Sequence, residues 1–384
     1  MARRLNMSRP TISQIEAGKR PVNGLELIRF AKLYRVSVAS LLDDEQDPTA
    51  RAEGVYFPGL EEPVADGPGR TPDLRPAVRA ALQAFVVHCR DYAYLERLVG
   101  AHPKGLTVRY VPEELSDDPE EQGELAAAQE RNRLGLGQAP VLCLPELLER
   151  QSVKVFVASR PDAPHLSAAT LYRRDFGHAL FVNVANALFP PTWLNFTAAH
   201  AYAHLLFDKD SDIVDYNNFL ADRRPAERRA NAFALAFLMP RELVEAELRA
   251  IGWRGHDAVG ESELVYLALR MGVTFTALLQ RLHRLGYLSD DARQELLERQ
   301  HAAGRWEELD WALAMRDAHE EWTVYRQRGR FRLLAAQAYR RGLLPLDQAA
   351  QLTEMPPEVF RRFAERGLPN QPPAPCSALS ALEE

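Results

Sequence analysis

The sequence predicts an α+β protein that is mostly helical, with one small three-stranded sheet near its middle. Three observations predict it. Apolar residues recur at helical spacing over 74–99 and again from Pro191 nearly to Phe363. Between these stretches the period changes, and β-branched or alternating runs occupy 153–184. A segment dense in proline and glycine, 43–72, separates an N-terminal helical stretch from everything else. Helices around one sheet, rather than regular strand–helix alternation, are the mark of α+β.

The 384 residues are too many for one core and point to two or three domains. We divide the chain into an N-terminal helical segment at 1–46, a linker at 47–72, a helical connector at 73–125, a domain containing the sheet at 126–300 and a C-terminal helical region at 301–384. The last stretch, Pro369 to Glu384, is expected to be disordered. A 46% apolar and 26% charged composition is that of an ordinary globular protein. The net charge of −6 excludes a protein that coats nucleic acid with its whole surface. Yet residues 1–40 carry eight basic side chains against two acidic ones, so one module is suited to phosphate. Cys89, Cys143 and Cys376 are too few and too scattered for a disulfide framework or a CxxC pair, which suits a reducing cytoplasm. No apolar run approaches a membrane span, and no signal peptide is recognisable.

In order along the chain, LNMSRPTISQIEAGKRPV (5–22) reads as the end of one helix, a turn and a second helix. Ser8 is an N-cap, and Pro10 is tolerated in the first turn. Ile12 and Ile15 point to a core, leaving Arg9, Thr11, Ser13 and Gln14 outward; Gln14 can pair with adenine in two hydrogen bonds. Gly18 ends the helix, and Lys19 and Arg20 fall where phosphates are expected. Residues 74–99 form one or two helices, Ser116–Glu121 is an acidic turn-rich patch, and 122–150 is helical with a break at Gly135-Leu136-Gly137. Val153–Ala158 is a strand. Ala168–Arg173 and Ala179–Val184 form a hairpin about Asp175-Phe176-Gly177.

After Pro190-Pro191 comes NFTAAHAYAHLLF (195–207). His200 and His204 are four apart, so a helix puts both imidazoles on one face, within reach of one metal ion. Alone the pair is a weak signal, equally served by two ordinary histidines. Glu227, 23 residues after His204 on a second helical stretch, offers a third ligand. Two histidines and one carboxylate leave the fourth tetrahedral position open, as in a catalytic rather than a structural zinc site. Asp208 and Asp210 follow His204 closely; a hydrogen bond to a ligating imidazole is one reading, and a solvated helix end is the plainer one. His165, His178, His256 and His283 lack ligand spacing. Residues 267–288 have the outline of another helix-turn-helix, read here as scaffold. Residues 331–363 read as two or three small packing helices.

Two resemblances follow. The S-x-x-T-I-S-x-I-E-x-G-x-R run resembles Cro/CI-like (XRE) repressors, in which this helix enters the major groove. That family has a helix before the one that begins near Ala2, and here it is missing; either the chain starts further upstream or the module is incomplete. Phe196–Leu206, Glu227–Pro240 and Leu267–Leu288 occur in order and resemble the ImmA/IrrE metallopeptidases over roughly 126–290. That resemblance implies a gluzincin-like fold, Zn2+ held by His200, His204 and Glu227, and cleavage of a repressor. The hairpin at 168–184 would then offer an edge strand to an extended substrate.

The sequence departs from the family at one position. The motif is HExxH, and its glutamate is the general base; here that position is Ala201, whose methyl group accepts no proton. Losing such a base typically costs about 10²–10⁴ in rate. The alanine is either an engineered substitution or the mark of a natural non-catalytic relative. The expectation is a cytoplasmic regulator in a stress, prophage or toxin–antitoxin response. Its partners would be DNA at the N-terminal segment, a repressor or its own chain as peptide substrate, and a second copy in a homodimer, with no membrane. The alternative is a non-enzymatic DNA-binding regulator or antitoxin that uses the zinc fold as a sensor or docking surface.

Overall fold

The helix Pro119–Leu134 begins three residues before the helical stretch expected from 122, so Pro119–Glu121 of the acidic patch form its first turn. Asp118 accepts from the Glu120 amide at 2.9 Å, Pro119 takes the first helical position, and Gly135 ends the helix in the left-handed region at φ 65°. The computed structural model describes residues 7–16, 75–101, 105–184, 191–208, 213–216, 224–253, 261–303 and 329–365, with the single positions 20, 22, 26 and 30. The proposed linker at 47–72, Lys19, Asp210, His256 and the Pro369–Glu384 tail lie outside the described residues.

In chain order the described elements are α1 (Arg9–Glu16), α2 (Arg75–Val99), α3 (Pro112–Leu115), α4 (Pro119–Leu134) and α5 (Leu144–Arg150). Strands β1 (Lys154–Ala158), β2 (Leu166–Arg173) and β3 (Gly177–Asn183) follow, then α6 (Pro191–Phe207), β4 (Ile213–Tyr216), α7 (Pro225–Leu238) and α8 (Arg241–Ala250). The remainder is helical: α9 (Glu261–Arg270), α10 (Phe275–Arg284), α11 (Asp290–Ala303), α12 (Arg330–Arg340), α13 (Leu346–Leu352) and α14 (Pro357–Glu365). The α+β class, mostly helical, is as the sequence predicts.

The chain forms two units, one of residues 57–79 and 105–327, the other of 1–56, 80–104 and 328–384. In the first, the sheet has the order β1-β3-β2-β4. The β2–β3 hairpin is antiparallel, with Thr170 opposite Leu180, and β1 runs parallel to β3. The three-stranded sheet expected from the sequence is therefore four-stranded. The fourth strand has only four residues, too few to set up a period of two between helix-forming stretches, and its partner β2 lies some forty residues earlier. The hairpin strands are interior to the sheet, and the edges among the described strands are β1 and β4.

Helix α6 lies across β2 and β3 and also packs on α7. It is buried on every side from Leu194 to Phe207, so its sequence carries no amphipathic stripe. Helix α7 packs between α6 and α4. The α4–α7 crossing is close at Gly123, where a β-carbon would come within 2.7 Å of the Phe233 amide nitrogen and 2.9 Å of the Ala232 β-carbon. The C-terminal end of α7 is captured by two arginines. Arg131 donates to the Phe237 carbonyl at 2.6 Å, and Arg281 to the Met239 carbonyl at 2.9 Å. Burial lowers the Arg131 pKa to about 10.

Asn195 fixes the first turn of α6. Its Oδ1 accepts from the Leu144 amide at 3.2 Å, while its Nδ2 reaches the Leu142 carbonyl at 2.8 Å and the Gly272 carbonyl at 3.5 Å. Residues 267–288 are scaffold: Leu267, Val273, Leu278, Leu279 and Leu282 belong to the core that also holds Tyr202 and Phe233.

In the second unit, α2, α12, α13 and α14 share a core of Tyr92, Leu95, Phe331, Ala335 and Phe360. Arg330 pairs with Glu96, and Arg341 donates to the Val99 carbonyl at 2.7 Å. Ile12 and Phe30 are buried together, with Met7 and Ile15 packed on them. No single helix among the described residues is long and apolar enough to cross a membrane.

Candidate metal centre

Two adjacent helices supply three donor side chains. His200 and His204 sit one turn apart on α6, and Glu227 lies in the first turn of α7. All three are buried. Their donor atoms lie within 4.8 Å of one another. The Nε2 atoms of the two histidines are 3.2 Å apart, His200 Nε2 is 3.2 Å from Glu227 Oε2, and His204 Nε2 is 3.7 Å from Glu227 Oε1. Two donors at about 2.0–2.1 Å from a tetrahedral zinc lie about 3.3 Å apart. The observed separations bracket that value.

The outer edges of both rings decide what their inner edges can do. His204 Nδ1 meets Asp208 Oδ2 at 2.8 Å, and His200 Nδ1 meets Asn231 Oδ1 at 2.9 Å. Both partners accept, so each Nδ1 carries the proton and each Nε2 presents a lone pair. Two lone pairs and a carboxylate then face one point, an arrangement that repels itself unless a cation lies between them. The donor set therefore fits zinc.

Beyond the donors, Arg229 binds Asp208 Oδ1 at 3.2 Å and Gln122 Oε1 at 3.2 Å, and lies over the Phe207 ring at 4.8 Å. Asp208 is thus held between a histidine and an arginine, which corrects the reading of it as a solvated helix end. The i,i+4 spacing from His204 was the available signal. Asn231, Arg229 and Gln122 were not foreseen as site residues. Asn231 sits at i+4 from Glu227, a relation visible in the sequence, whereas Gln122 joins only through the α4–α7 packing.

Residues 148–283 match a peptidase family model. It is the M78 family, described as the IrrE N-terminal-like domain. Residues 1–41 match a helix-turn-helix model. The fusion that the two resemblances imply is thereby shown, and the chain is a regulator-type assembly of a helix-turn-helix with a peptidase-like domain. The IrrE-like match includes all three donors and Asn231, but leaves out α4, which braces α7 from outside the matched range. No curated protein matches the chain.

Ala201, which the resemblance would place at the general-base position, is fully buried and belongs to the same core as Ala198, Tyr202 and Phe233. At the other end of the chain, Arg9, Thr11, Ser13 and Gln14 all lie on α1. Gln14 is exposed, and the Thr11 hydroxyl is 2.8 Å from that of Ser8, whose oxygen caps the Thr11 amide at 3.3 Å. Arg20, expected at phosphate, donates to Glu26 at 2.8 Å.

Proposed function

We propose that this chain is a cytoplasmic DNA-binding transcriptional regulator whose peptidase-like domain binds zinc through His200, His204 and Glu227 but does not cleave, because Ala201 offers no general base. The convergence of two Nε2 lone pairs and the Glu227 carboxylate carries the metal half of this reading. When bound there, zinc supplies Lewis acidity that polarises a water or carbonyl oxygen. The side chains of this chain set the tautomers and shield the donors, but none at position 201 takes up a proton. The five-part division at 46, 72, 125 and 300 belongs to the same reading.

With a glutamate at position 201, the site would be a zinc endopeptidase acting on a repressor, or on the N-terminal segment or the 43–72 stretch of its own chain. A stress, prophage or toxin–antitoxin response is the setting such a pair fits. Without the glutamate, the zinc fold acts as a sensor or docking surface, with DNA contacted through Gln14 and the basic residues Arg9, Lys19 and Arg20. The deciding experiment incubates the Ala201→Glu protein with zinc, itself and candidate repressors. A defined fragment by mass spectrometry is expected, and Ala201→Glu combined with His204→Ala should give none. A zinc-loaded Ala201→Glu protein that cuts nothing would overturn the peptidase reading and leave the sensor.

A further inference from the structure

The arginines at the start of α7 have different assignments. Arg228 donates to Glu120 at 3.1 Å, and Arg229 to Asp208 at 3.2 Å. Arg224, in the N-cap position, makes no cap bond with its side chain. Its Nη2 instead lies 3.5 Å from Glu227 Oε1, while 71% of the side chain stays exposed. An exposed guanidinium thus stands over a buried donor cluster. The side chains of His200 and His204 are 0% and 1% exposed, whereas that of Glu227 keeps 7%. Access to the cluster is therefore from the side that Arg224 occupies.

The charges around the cluster do not balance once a divalent ion is held there. Asn231, behind His200, is neutral, and Asp208, behind His204, is paired with Arg229. Among the described residues, Glu227 is then the one carboxylate at the cluster whose charge is left to offset the ion. The ImmA/IrrE resemblance expects a second carboxylate beside the first histidine, and this chain has Ala201 there. Arg224 adds a further positive charge at the opening. A loaded site is therefore a net cation with a guanidinium at its mouth, and a partly dry site of that charge draws an anion. A carboxylate matches both parts. It is an ordinary zinc donor, and it takes two parallel hydrogen bonds from a guanidinium. It also returns the negative charge that position 201 lacks.

We propose that Arg224, together with the metal held by His200, His204 and Glu227, forms a receptor for a peptide carboxylate, at a chain end or on an acidic side chain. A peptide as the carrier is in keeping with the peptidase-family match. The inference rests on the zinc-bearing sensor reading and names the ligand class of that site.

The test titrates the zinc-loaded full chain by calorimetry with acetyl-trialanine bearing a free C-terminus, with the C-terminal amide of the same peptide, and with an amidated peptide whose middle residue is aspartate. A peptide with a carboxylate should bind and the uncharged amide should not; which acid binds tells a chain end from a side chain. Arg224→Ala should weaken that binding about tenfold, the worth of one charge-assisted contact. Arg224→Lys should lose less, and both variants should keep the parent's zinc content. The cobalt(II)-loaded chain gives a second readout. Its visible absorption should change on adding the acidic peptide, and change less in Arg224→Ala at the same concentration. Acetate that binds as tightly as the peptides would overturn the peptide as carrier. Equal binding of the uncharged amide, an Arg224→Ala protein with the parent's affinity, or a zinc content that falls in Arg224→Ala would overturn the receptor and leave the zinc site standing. A parent that takes up no zinc overturns the metal reading and this inference with it.

Discussion

Asp208 accepts a hydrogen bond from Nδ1 of His204 at 2.8 Å, one helical turn further along α6 and its continuation. The carboxylate fixes the ring's tautomer and raises the basicity of the nitrogen that faces the donor cluster. Asp208→Ala should lower zinc affinity about 10–100-fold while the fold persists. Competition against a chromophoric chelator measures it, and an affinity equal to the parent's would show that the contact does not orient the ring.

Gly123 is the contact point between α4 and α7, and α7 carries Glu227 and Asn231. Gly123→Ala should destabilise the chain by about 1–3 kcal/mol, the usual range for overpacking. Because the added methyl group meets backbone, α7 must shift, and zinc affinity should fall with stability. Denaturant melts and metal titration on the same protein check the pair of effects. A stability loss with metal affinity intact would mean that the crossing does not set the position of Glu227.

The Thr197 hydroxyl is buried and has no hydrogen-bond partner among the described residues, and it lies one helical turn before Ala201. A buried hydroxyl in that state costs about 1–3 kcal/mol. Thr197→Val should therefore raise the melting temperature of this chain. In the Ala201→Glu background the same change should lower it, because the new carboxylate takes the hydroxyl as a donor. The comparison is a double-mutant cycle, and an equal effect of Thr197→Val in both backgrounds would rule out that pairing.

The parts of the site legible in the sequence are those that depend on local spacing. His200 and His204 meet because four residues make about one turn of α6, and Asp208 and Asn231 each stand four residues from a donor on the same run of chain. The hairpin was readable because alternation and a turn residue, Gly177 at φ 80°, lie together. What was not readable depends on packing between distant segments. Strand β4 exists because β2 is there to pair with it. Gln122 enters the site only because Gly123 lets α4 approach α7, and the arginines that hold the end of α7 come from α4 and α10. The expectation that the hairpin offers a free edge failed for the same reason: β1 and β4 flank it, and neither pairing has a local signature.

Asn195 has one further consequence, for how the chain can be divided. Its single amide joins the start of α6 to the loop before α5 and to the turn between α9 and α10. At that turn a β-carbon on Gly272 would lie 3.1 Å from Leu142. Residues 261–288 are thus interior furniture of the unit that bears the histidines, although they look like a separable module by outline. A chain shortened at residue 260 would strip Leu267, Leu278 and Leu282 from the core and leave the α6 anchor half-made, so it should be recovered as aggregate. Trimming for crystallisation or expression has to stop beyond Leu288.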